Sequence, residues 1–197
     1  PNLLLCTVGG SHQPILTALR ESAPDYVCFF CTGDDPATGA QGSRSQILGK
    51  GTPVVYRHKD CSEEKLPNIP TQAGLSEDGF EVREVRADDL DEAVRVMLEA
   101  VAELEDRFPE ARITADYTGG TKTMTAALAI AALESERVRL RLVTGTRGDL
   151  IKVHDGTQSS LVVSAEGIRL RRSMAPYLAA WRRYAYGEAA EGLARLP

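Results

Sequence analysis

Short apolar runs alternate along this chain with segments whose apolar residues recur at helical spacing, and this alternation limits the fold more than any other feature. Continuous apolar runs are typical of strands that are buried on both faces of a parallel sheet. Strands that alternate with helices form right-handed βαβ units. The sequence therefore predicts an α/β fold, with a Rossmann-like, mostly parallel sheet that carries helices on both faces. Strands are predicted at residues 3–8, 25–31, 80–85, 113–117 and 138–144, and helices at 13–22, 122–134 and from a cap at Asp88 or Asp89 to Arg107.

The remaining segments carry weaker signals. They are a short helix near residues 43–48, a strand at 53–58, a long polar loop of no clear period at 59–79, and a hairpin of strands 150–154 and 158–163 that turns at Asp155-Gly156.

The C-terminal part of the chain is predicted to be helical from residue 173 onward. Tyr177 and Trp181 recur there at helical spacing and form part of an aromatic stripe. We therefore expect a ligand-binding domain at 1–165 and a C-terminal helical extension at 166–197. The extension is interpreted either as a helix that packs on the sheet or on a dimer mate, or as the start of an effector domain.

Composition narrows the class of function. The chain has 197 residues, of which 43% are hydrophobic and 26% charged, as is ordinary for a globular protein. The formal net charge of −5 argues against sequence-blind binding to duplex nucleic acid, which needs a basic face. A small anionic ligand remains compatible with this charge, because a binding site needs only local positive potential.

The sequence also bears on cellular location. No run of about 18 apolar residues occurs, so no membrane span is expected. The first residues lack a basic segment and are interpreted as a core strand rather than a signal peptide. Cys28 and Cys31 form a C-x-x-C pattern, but residues three apart on a strand point to opposite faces, so buried free thiols are favoured over a redox pair or zinc site. We expect a cytoplasmic protein that needs neither a metal ion nor a cofactor.

The residues directly after the predicted strands are the candidates for a binding site. In open parallel sheets, ligands bind beyond the carboxyl ends of the strands, where the topology changes direction. Glycine lets the backbone approach a ligand closely, and threonine adds a hydroxyl group. The four strand-end loops are Thr7-Val8-Gly9-Gly10-Ser11-His12, Thr32-Gly33-Asp34, Thr118-Gly119-Gly120-Thr121-Lys122 and Thr144-Gly145-Thr146-Arg147.

The loop from Thr118 to Lys122 is the strongest of these candidates. Free N–H groups at the start of the following helix, together with the positive end of its dipole, form an anion site. Lys122 adds a charge, and Thr118 and Thr121 add hydrogen-bond donors. The plainer alternative is that Gly119 and Gly120 only make a tight strand-to-helix turn, with Lys122 solvated.

This loop does not match the two commonest phosphate-binding motifs. A P-loop requires Gly before the lysine, whereas Lys122 follows a threonine and the upstream glycine is missing. The first loop, Gly9-Gly10-Ser11-His12, does not give the G-x-G-x-x-G fingerprint of dinucleotide-binding folds.

Two strings of residues resemble a known family. Asp116-Tyr117-Thr118-Gly119-Gly120-Thr121-Lys122-Thr123-Met124 looks like the signature of the CRISPR-associated Rossmann-fold domain, called CARF. Thr7-Val8-Gly9-Gly10-Ser11-His12-Gln13-Pro14 is similar to the first-strand motif in one branch of that family. Both strings stand where the family has them, and the resemblance covers roughly residues 1–165.

The resemblance implies a homodimer that binds cyclic oligoadenylate, such as cyclic tetra- or hexa-adenylate, the second messenger of type III CRISPR antiviral defence. Such a sensor would pass the signal to an effector. A ring of identical units has rotational symmetry, and a two-fold dimer presents the same loops twice. The ligand contacts carried over from the family are Thr118, Gly119, Gly120, Thr121, Lys122, Gly9, Gly10, Ser11 and His12, whereas Thr32, Gly33, Thr144 and Gly145 are expected only from their strand-end positions.

An enzymatic alternative stays open. A ring nuclease would open the cyclic ligand without a metal ion, through attack of a ribose 2′-OH on the adjacent phosphate. Lys122, Ser11 and His12 are the candidate catalytic residues. His12 could act as a general acid or base near neutral pH, or could instead stack on the ligand or cap the loop.

The sequence also contains a ribonuclease-like pattern and allows an unrelated enzyme. Arg147 and His154 match the Arg-x4–6-His pattern of HEPN ribonucleases, but they lie across a predicted turn and strand, so we interpret the match as coincidental. No complete HEPN domain fits in the rest of the chain. An unrelated sugar-phosphate or nucleotide enzyme could use the same loops, although no convincing carboxylate–histidine cluster supports it.

Overall fold

The computed structural model describes residues 1–48, 54–57, 60–144 and 159–196, with the backbone alone at 54–57. The described strands are β1 (Asn2–Thr7), β2 (Tyr26–Cys31), β3 (Val54–Arg57), β4 (Glu63–Leu66), β5 (Phe80–Glu84), β6 (Arg112–Asp116), β7 (Val138–Thr144) and β8 (Ser159–Val163). The described helices are α1 (Gln13–Ser22), α2 (Ile69–Ala73), α3 (Leu90–Arg107), α4 (Lys122–Glu134), α5 (Glu166–Arg182) and α6 (Tyr186–Leu193).

Six of these strands form one sheet in the order β5-β2-β1-β6-β7-β8. All neighbouring pairs are parallel except β7 and β8, which are antiparallel. From β1 the chain proceeds outward through β2 and then returns to place β6 on the other side of β1, so the topology changes direction between β1 and β6. This is the strand order of dinucleotide-binding folds, and the predicted Rossmann-like fold is confirmed.

The apolar runs form strands because both faces of the sheet are covered. Leu4 and Cys6 of β1 belong to a buried cluster with Ile15 and Leu16 of α1. Leu3 and Leu5 alternate with them and are equally buried. Successive strand residues point to opposite faces, so these two sets serve two separate layers of core.

The helices that border the site begin where the sequence places their caps. The Asp89 side chain accepts a hydrogen bond from the backbone N–H of Glu92, which confirms an aspartate cap for α3. Thr121 caps α4 in the same way, accepting from the N–H of Met124. Helix α1 also spans the predicted residues. It is preceded by His12, whose side chain makes no capping bond.

The polar segment predicted as one long loop at 59–79 contains regular structure, so that prediction was wrong in part. Strand β4 pairs with β3 as an antiparallel hairpin outside the main sheet. Helix α2 follows, capped by Asn68 and ended by Gly74 in the left-handed conformation. These elements are four and five residues long, too short for hydrophobic periodicity to reveal them.

The predicted hairpin at 150–163 is only partly described. Strand β8 forms as expected, and within the described chain it pairs with β7. The predicted strand 150–154 and the turn at Asp155-Gly156 lie outside the described residues, as do Arg147 and His154.

The chain divides into two compact units, residues 1–163 and 164–197. The second unit contains α5 and α6, so the prediction of one continuous helix from residue 173 was wrong at both its start and its middle. The helices are separated where Tyr184 adopts a left-handed backbone with φ of 66°. The Trp181 and Tyr186 rings then meet edge to face, with centroids 4.8 Å apart. None of the helices described here has both the length and the hydropathy to cross a bilayer.

Candidate functional site

A cavity of about 410 Å³ opens at the carboxyl ends of β1 and β2 and at the start of α4. Its position is the crevice in which open α/β sheets bind ligands, because it lies where the strand order changes direction. Its lining residues come from the first loop, the loop before α4 and the segment after β2. They are Val8, Gly9, Gly10, Thr32, Gln41, Gly42, Ser43, Ser45, Gln46, Gly120 and Thr121.

The two glycine loops that the sequence singles out lie directly against each other. Strands β1 and β6 are neighbours, so their carboxyl ends meet at one edge of the sheet. The Thr7 hydroxyl donates to the carbonyl oxygen of Gly119 at 2.6 Å. A Cβ atom on Gly9 would lie 2.6 Å from the backbone nitrogen of Gly120. The two loops therefore adjoin, and together they form one floor of the cavity.

Gly120 is required by the local backbone. Its φ is +85°, a conformation that L side chains rarely adopt, and a Cβ atom there would approach Thr7 Cβ to 2.9 Å. This requirement is structural, as expected if Gly119 and Gly120 make a tight strand-to-helix turn. It does not exclude ligand contact, because both Gly120 and Gly9 also line the cavity.

Thr121 and Thr118 differ in what their hydroxyl groups can offer. The Thr121 hydroxyl donates to the carbonyl oxygen of Ala87 at 2.7 Å while it accepts from Met124 N–H at 3.2 Å. Its proton is therefore used within the protein, and the expectation that Thr121 adds a side-chain donor is wrong in this arrangement. The Thr118 hydroxyl accepts from Val143 N–H at 2.6 Å, a bond that does not use its own proton.

A buried ion pair supports the loop before α4 from below. Asp116 accepts hydrogen bonds from Thr118 N–H at 3.0 Å and from Arg141 Nε at 3.3 Å. Arg141 also donates to the Ala18 carbonyl oxygen at 2.8 Å, which connects β7 to α1. The two side chains are only 8% and 4% exposed. Sequence reasoning missed Arg141, because it stands inside a run that predicts a strand and nothing in that pattern marks it as inward-facing.

The wall opposite this floor comes from the residues that follow β2. Thr32 and Ser43 form two hydrogen bonds of 3.0 Å, in which the backbone N–H of each residue donates to the side-chain hydroxyl of the other residue. Gly42 fits there because a Cβ atom would lie 2.2 Å from the Gly33 carbonyl oxygen. The Gln46 side-chain amide donates to the Gly9 carbonyl oxygen at 2.6 Å. We call residues 41–46 the polar wall.

The polar wall is the part of the site that sequence reasoning did not find. A short helix near 43–48 was predicted, and a single 3₁₀ turn at Ser43–Gln46 is observed. The position of that turn over the cavity depends on the Thr32–Ser43 pairing, which joins residues eleven apart in sequence. A usable signal is the hydroxyl-rich Ser43-Arg44-Ser45 string directly after Gly42, since such residues pair with strand-end backbone.

The expected ligand contacts divide into two groups. Gly9, Gly10, Thr32, Gly120 and Thr121 line the cavity. The second group does not appear among the lining residues of the cavity. Gly145 belongs to neither group, because it lies outside the described residues. This second group is Ser11, His12, Gly33, Thr118, Gly119, Lys122 and Thr144.

The three candidate catalytic residues do not share the cavity. Ser11 and Lys122 are exposed, whereas His12 is only 3% exposed. The His12 Nε2 atom lies 3.2 Å from Gln13 Nε2. The catalytic assignment therefore stays a prediction that no contact of these side chains with the cavity supports.

Every described residue that lines the cavity is uncharged. An anionic ligand would therefore meet backbone N–H groups, amides and hydroxyls rather than ammonium or guanidinium groups. The described residues include no cluster of three or more His, Cys, Asp or Glu side chains placed to hold a metal ion.

Buried thiols lie beneath the cavity. The pKa of Cys31 is raised to about 12, chiefly by burial; the Ser43 hydrogen bond and Arg44 act to lower this pKa, and the Glu84 carboxylate acts to raise it. The pKa of Cys6 is also raised, first by burial and then by Asp116. Because the thiolate is the reactive form, neither group is a nucleophile in the folded protein near neutral pH.

No protein-family model and no curated protein sequence matches the chain. Its fold defines it as a Rossmann-like α/β protein, with a cavity at the switch point of the sheet. Solved structures share this fold. Csm6 from Enterococcus italicus, bound to cyclic hexa-2′-fluoro-hexa-dAMP, is 14% identical with a TM-score of 0.66, over 98% of this chain and 48% of Csm6.

A second solved structure is a type III CRISPR defence DNA nuclease activated by cyclic oligoadenylate. It is 14% identical with a TM-score of 0.52, over 97% of this chain and 29% of the nuclease. The present chain thus spans about half the length of Csm6 and less than a third of the nuclease. At this identity the likeness is one of fold, and it agrees with the fold that the resemblance to CARF domains implies.

Proposed function

We propose that this chain belongs with the CARF proteins and senses cyclic oligoadenylate in type III CRISPR defence. The observation that carries the proposal is the cavity at the switch point, in which Gly9 and Gly10 of one loop adjoin Gly120 and Thr121 of the other. These are the two loops whose residues resemble the family. The solved structures of this fold include one bound to a cyclic adenylate analogue and one activated by cyclic oligoadenylate.

The chemistry of the cavity suits phosphodiesters linked to nucleosides. The first turn of α4 presents N–H groups without partners inside the helix, and the helix dipole favours an anion at that end. A phosphodiester carries a single negative charge, which such a neutral anion site can balance. The polar wall offers amides and hydroxyls, which are the groups that pair with ribose and base edges.

The size of the cavity favours one nucleotide unit for each chain. A volume of about 410 Å³ lies at the lower end of the range of roughly 300–1,000 Å³ for small-molecule sites. A ring of four or six nucleotides needs more room than one such cavity. We therefore infer that two copies of the chain face one ring across a two-fold axis, each supplying the same loops.

The signalling role follows from the same proposal. The chain spans only part of each solved structure that shares its fold. We propose that binding in this domain controls an effector part, which α5 and α6 would either contact or begin.

Binding and turnover are tested in one experiment. The purified chain is titrated by calorimetry with cyclic tetra-adenylate and cyclic hexa-adenylate, and the ligand is recovered and analysed for linear products. Saturable binding of at least one ring, at one ring per two chains, is expected. Failure to bind either ring overturns the proposal, and linear products would establish a ring nuclease in place of a pure sensor.

Lys122 gives a residue-level test of the same site. It is exposed at the first position of α4, the helix end that we propose faces the anion, although it is not among the lining residues of the cavity. Lys122→Ala is expected to weaken binding about threefold, as for the loss of a nearby positive charge that makes no direct contact with the ligand. Lys65→Ala, an exposed lysine on β4, is the control and should leave affinity unchanged. Equal affinities for both variants would remove Lys122 from the site.

A further inference from the structure

The Gln46 amide is half satisfied. Its nitrogen donates to the Gly9 carbonyl oxygen at 2.6 Å. That carbonyl can only accept, so the bond also fixes which end of the amide is nitrogen. The remaining atom, Oε1, is buried and makes no hydrogen bond to any described residue. Buried acceptors are nearly always paired, so this one stands out within the cavity lining.

The unpaired oxygen belongs to a side chain that lines the cavity. A partner for it can therefore come from a molecule bound there. The oxygen is itself shielded from bulk water, so a donor that reaches it would meet little competition. Terminal amide torsions are broad, so the amide can turn to bring Oε1 toward the cavity, and Nε2 turns with it because both atoms are bonded to Cδ.

The Gln46 amide offers a ligand both a hydrogen-bond donor and a hydrogen-bond acceptor. The nitrogen carries two hydrogens, of which the bond to Gly9 uses one. The second N–H and the Oε1 acceptor together complement adenine, which presents an exocyclic N6 donor beside the N7 acceptor. A ribose hydroxyl would satisfy only one of the two. Gly9 and Gly120, on the floor of the cavity, offer only backbone to a ligand.

We propose that Gln46 is the base-specificity residue of this site and selects adenine by accepting a hydrogen bond from its N6 amine. The proposal rests on the proposed function, since it assumes that a cyclic oligonucleotide enters the cavity. In this arrangement the loop backbone and the α4 end hold the phosphate, and the polar wall reads the base. The bond from Gln46 to Gly9 keeps these two parts of the site in register.

The test compares cyclic hexa-adenylate and cyclic tetra-adenylate with the matching cyclic oligoinosinates, in which a carbonyl oxygen replaces the N6 amine. The wild-type chain is expected to prefer the adenine ring by about tenfold or more. Gln46→Met keeps the length of the side chain and removes both polar groups, so the preference should fall to within about twofold. Gln72→Met is the matched control, because Gln72 makes the same type of bond, to the Pro67 carbonyl oxygen at 2.5 Å, and does not line the cavity.

Each outcome separates this proposal from the proposed function. Equal binding of adenine and inosine rings by the wild-type chain overturns the role of Gln46 and leaves ring binding intact. Binding of neither ring overturns the proposed function itself. A preference that survives in Gln46→Met overturns the proposal. The proposal is also overturned if Gln46→Met binds neither the adenine nor the inosine ring and has a lowered melting temperature, since Gln46 would then have a purely structural role.

Discussion

At the scale of single residues, the site depends on two buried charges that the sequence pattern does not reveal. Asp116 and Arg141 form an ion pair beneath the loop before α4, and Asp116 also holds the backbone of Thr118. Desolvation offsets much of the attraction in such a pair, so its net contribution to stability is small. Removal of one partner is costly, because it leaves the other charge buried and alone.

Arg141→Met is therefore expected to lower the free energy of unfolding by about 3–5 kcal/mol. Urea denaturation monitored by circular dichroism measures this change. Arg139→Met is the matched control, because Arg139 lies on the same strand and is exposed, and it should change stability by less than about 0.5 kcal/mol. Similar losses in the two variants would show that the pair does not support the loop as described.

The buried thiols predict how stability depends on pH. The folded protein raises the pKa of Cys31 to about 12, so folding favours its protonated form. That contribution is complete below the pKa of about 8.5 in the unfolded chain and is lost as the pH rises toward 12. Between pH 8 and 10 the free energy of unfolding should fall less steeply in Cys31→Ala than in wild type, by up to about 1.4 kcal/mol per pH unit.

The control for this pH dependence is Cys61→Ala, since Cys61 is exposed. Urea unfolding at pH 8, 9 and 10 gives the three slopes. The interpretation fails if Cys31→Ala and Cys61→Ala show the same slope as the wild-type protein.

At the scale of elements, the start of α4 joins fold stability to the site. The Thr121 hydroxyl caps the helix and also holds the Ala87 carbonyl oxygen ahead of α3. Thr121→Ala should cost about 1–2 kcal/mol in the free energy of unfolding, the upper part of the range for a lost N-cap. Thr121→Ser keeps the hydroxyl and should recover most of the loss in thermal denaturation. If serine is no better than alanine, the hydroxyl bonds do not stabilise this end of the helix.

Within residues 1–163 the sequence predicted the long elements well, because each carries many residues of one period. Helices α1 and α4 begin and end at the predicted residues, and the five parallel strands lie within one residue of prediction. Short elements failed for the opposite reason. The charged strand β4 and the five-residue α2 owe their form to pairing with β3 and to the Asn68 cap. Such contacts leave no period in the sequence.

The candidate site was also predictable only in part: the sequence indicated the floor of the cavity but not the polar wall. Strand-end glycines pointed to the floor, because the ends of neighbouring parallel strands must meet. The polar wall was missed because Gln46 reaches Gly9 across 37 positions of sequence. Burial was equally hidden for His12, which the sequence presents in a polar loop and the fold encloses.

At the scale of the whole molecule, the division into two units bears on where ligand binding resides. The first unit, residues 1–163, contains the complete six-stranded sheet and every described residue that lines the cavity. The second unit carries aromatic side chains that are well exposed, such as Trp181 at 56% and Tyr184 at 79%. Sequence reasoning set the boundary at residue 165, and a fragment tests it.

A fragment of residues 1–165 is expected to unfold in a single cooperative transition, because it keeps the sheet and its covering helices. Its affinity for cyclic hexa-adenylate or cyclic tetra-adenylate should stay within about threefold of that of the whole chain, since no lining residue is lost. Calorimetric titration of both proteins, after urea unfolding has established that the fragment is folded, measures the difference. A folded fragment that binds neither ring, beside a whole chain that binds, would place part of the binding energy in α5 and α6. That energy would then act either directly or through dimer contacts made by those helices, and sedimentation of the fragment with and without the ring distinguishes the two.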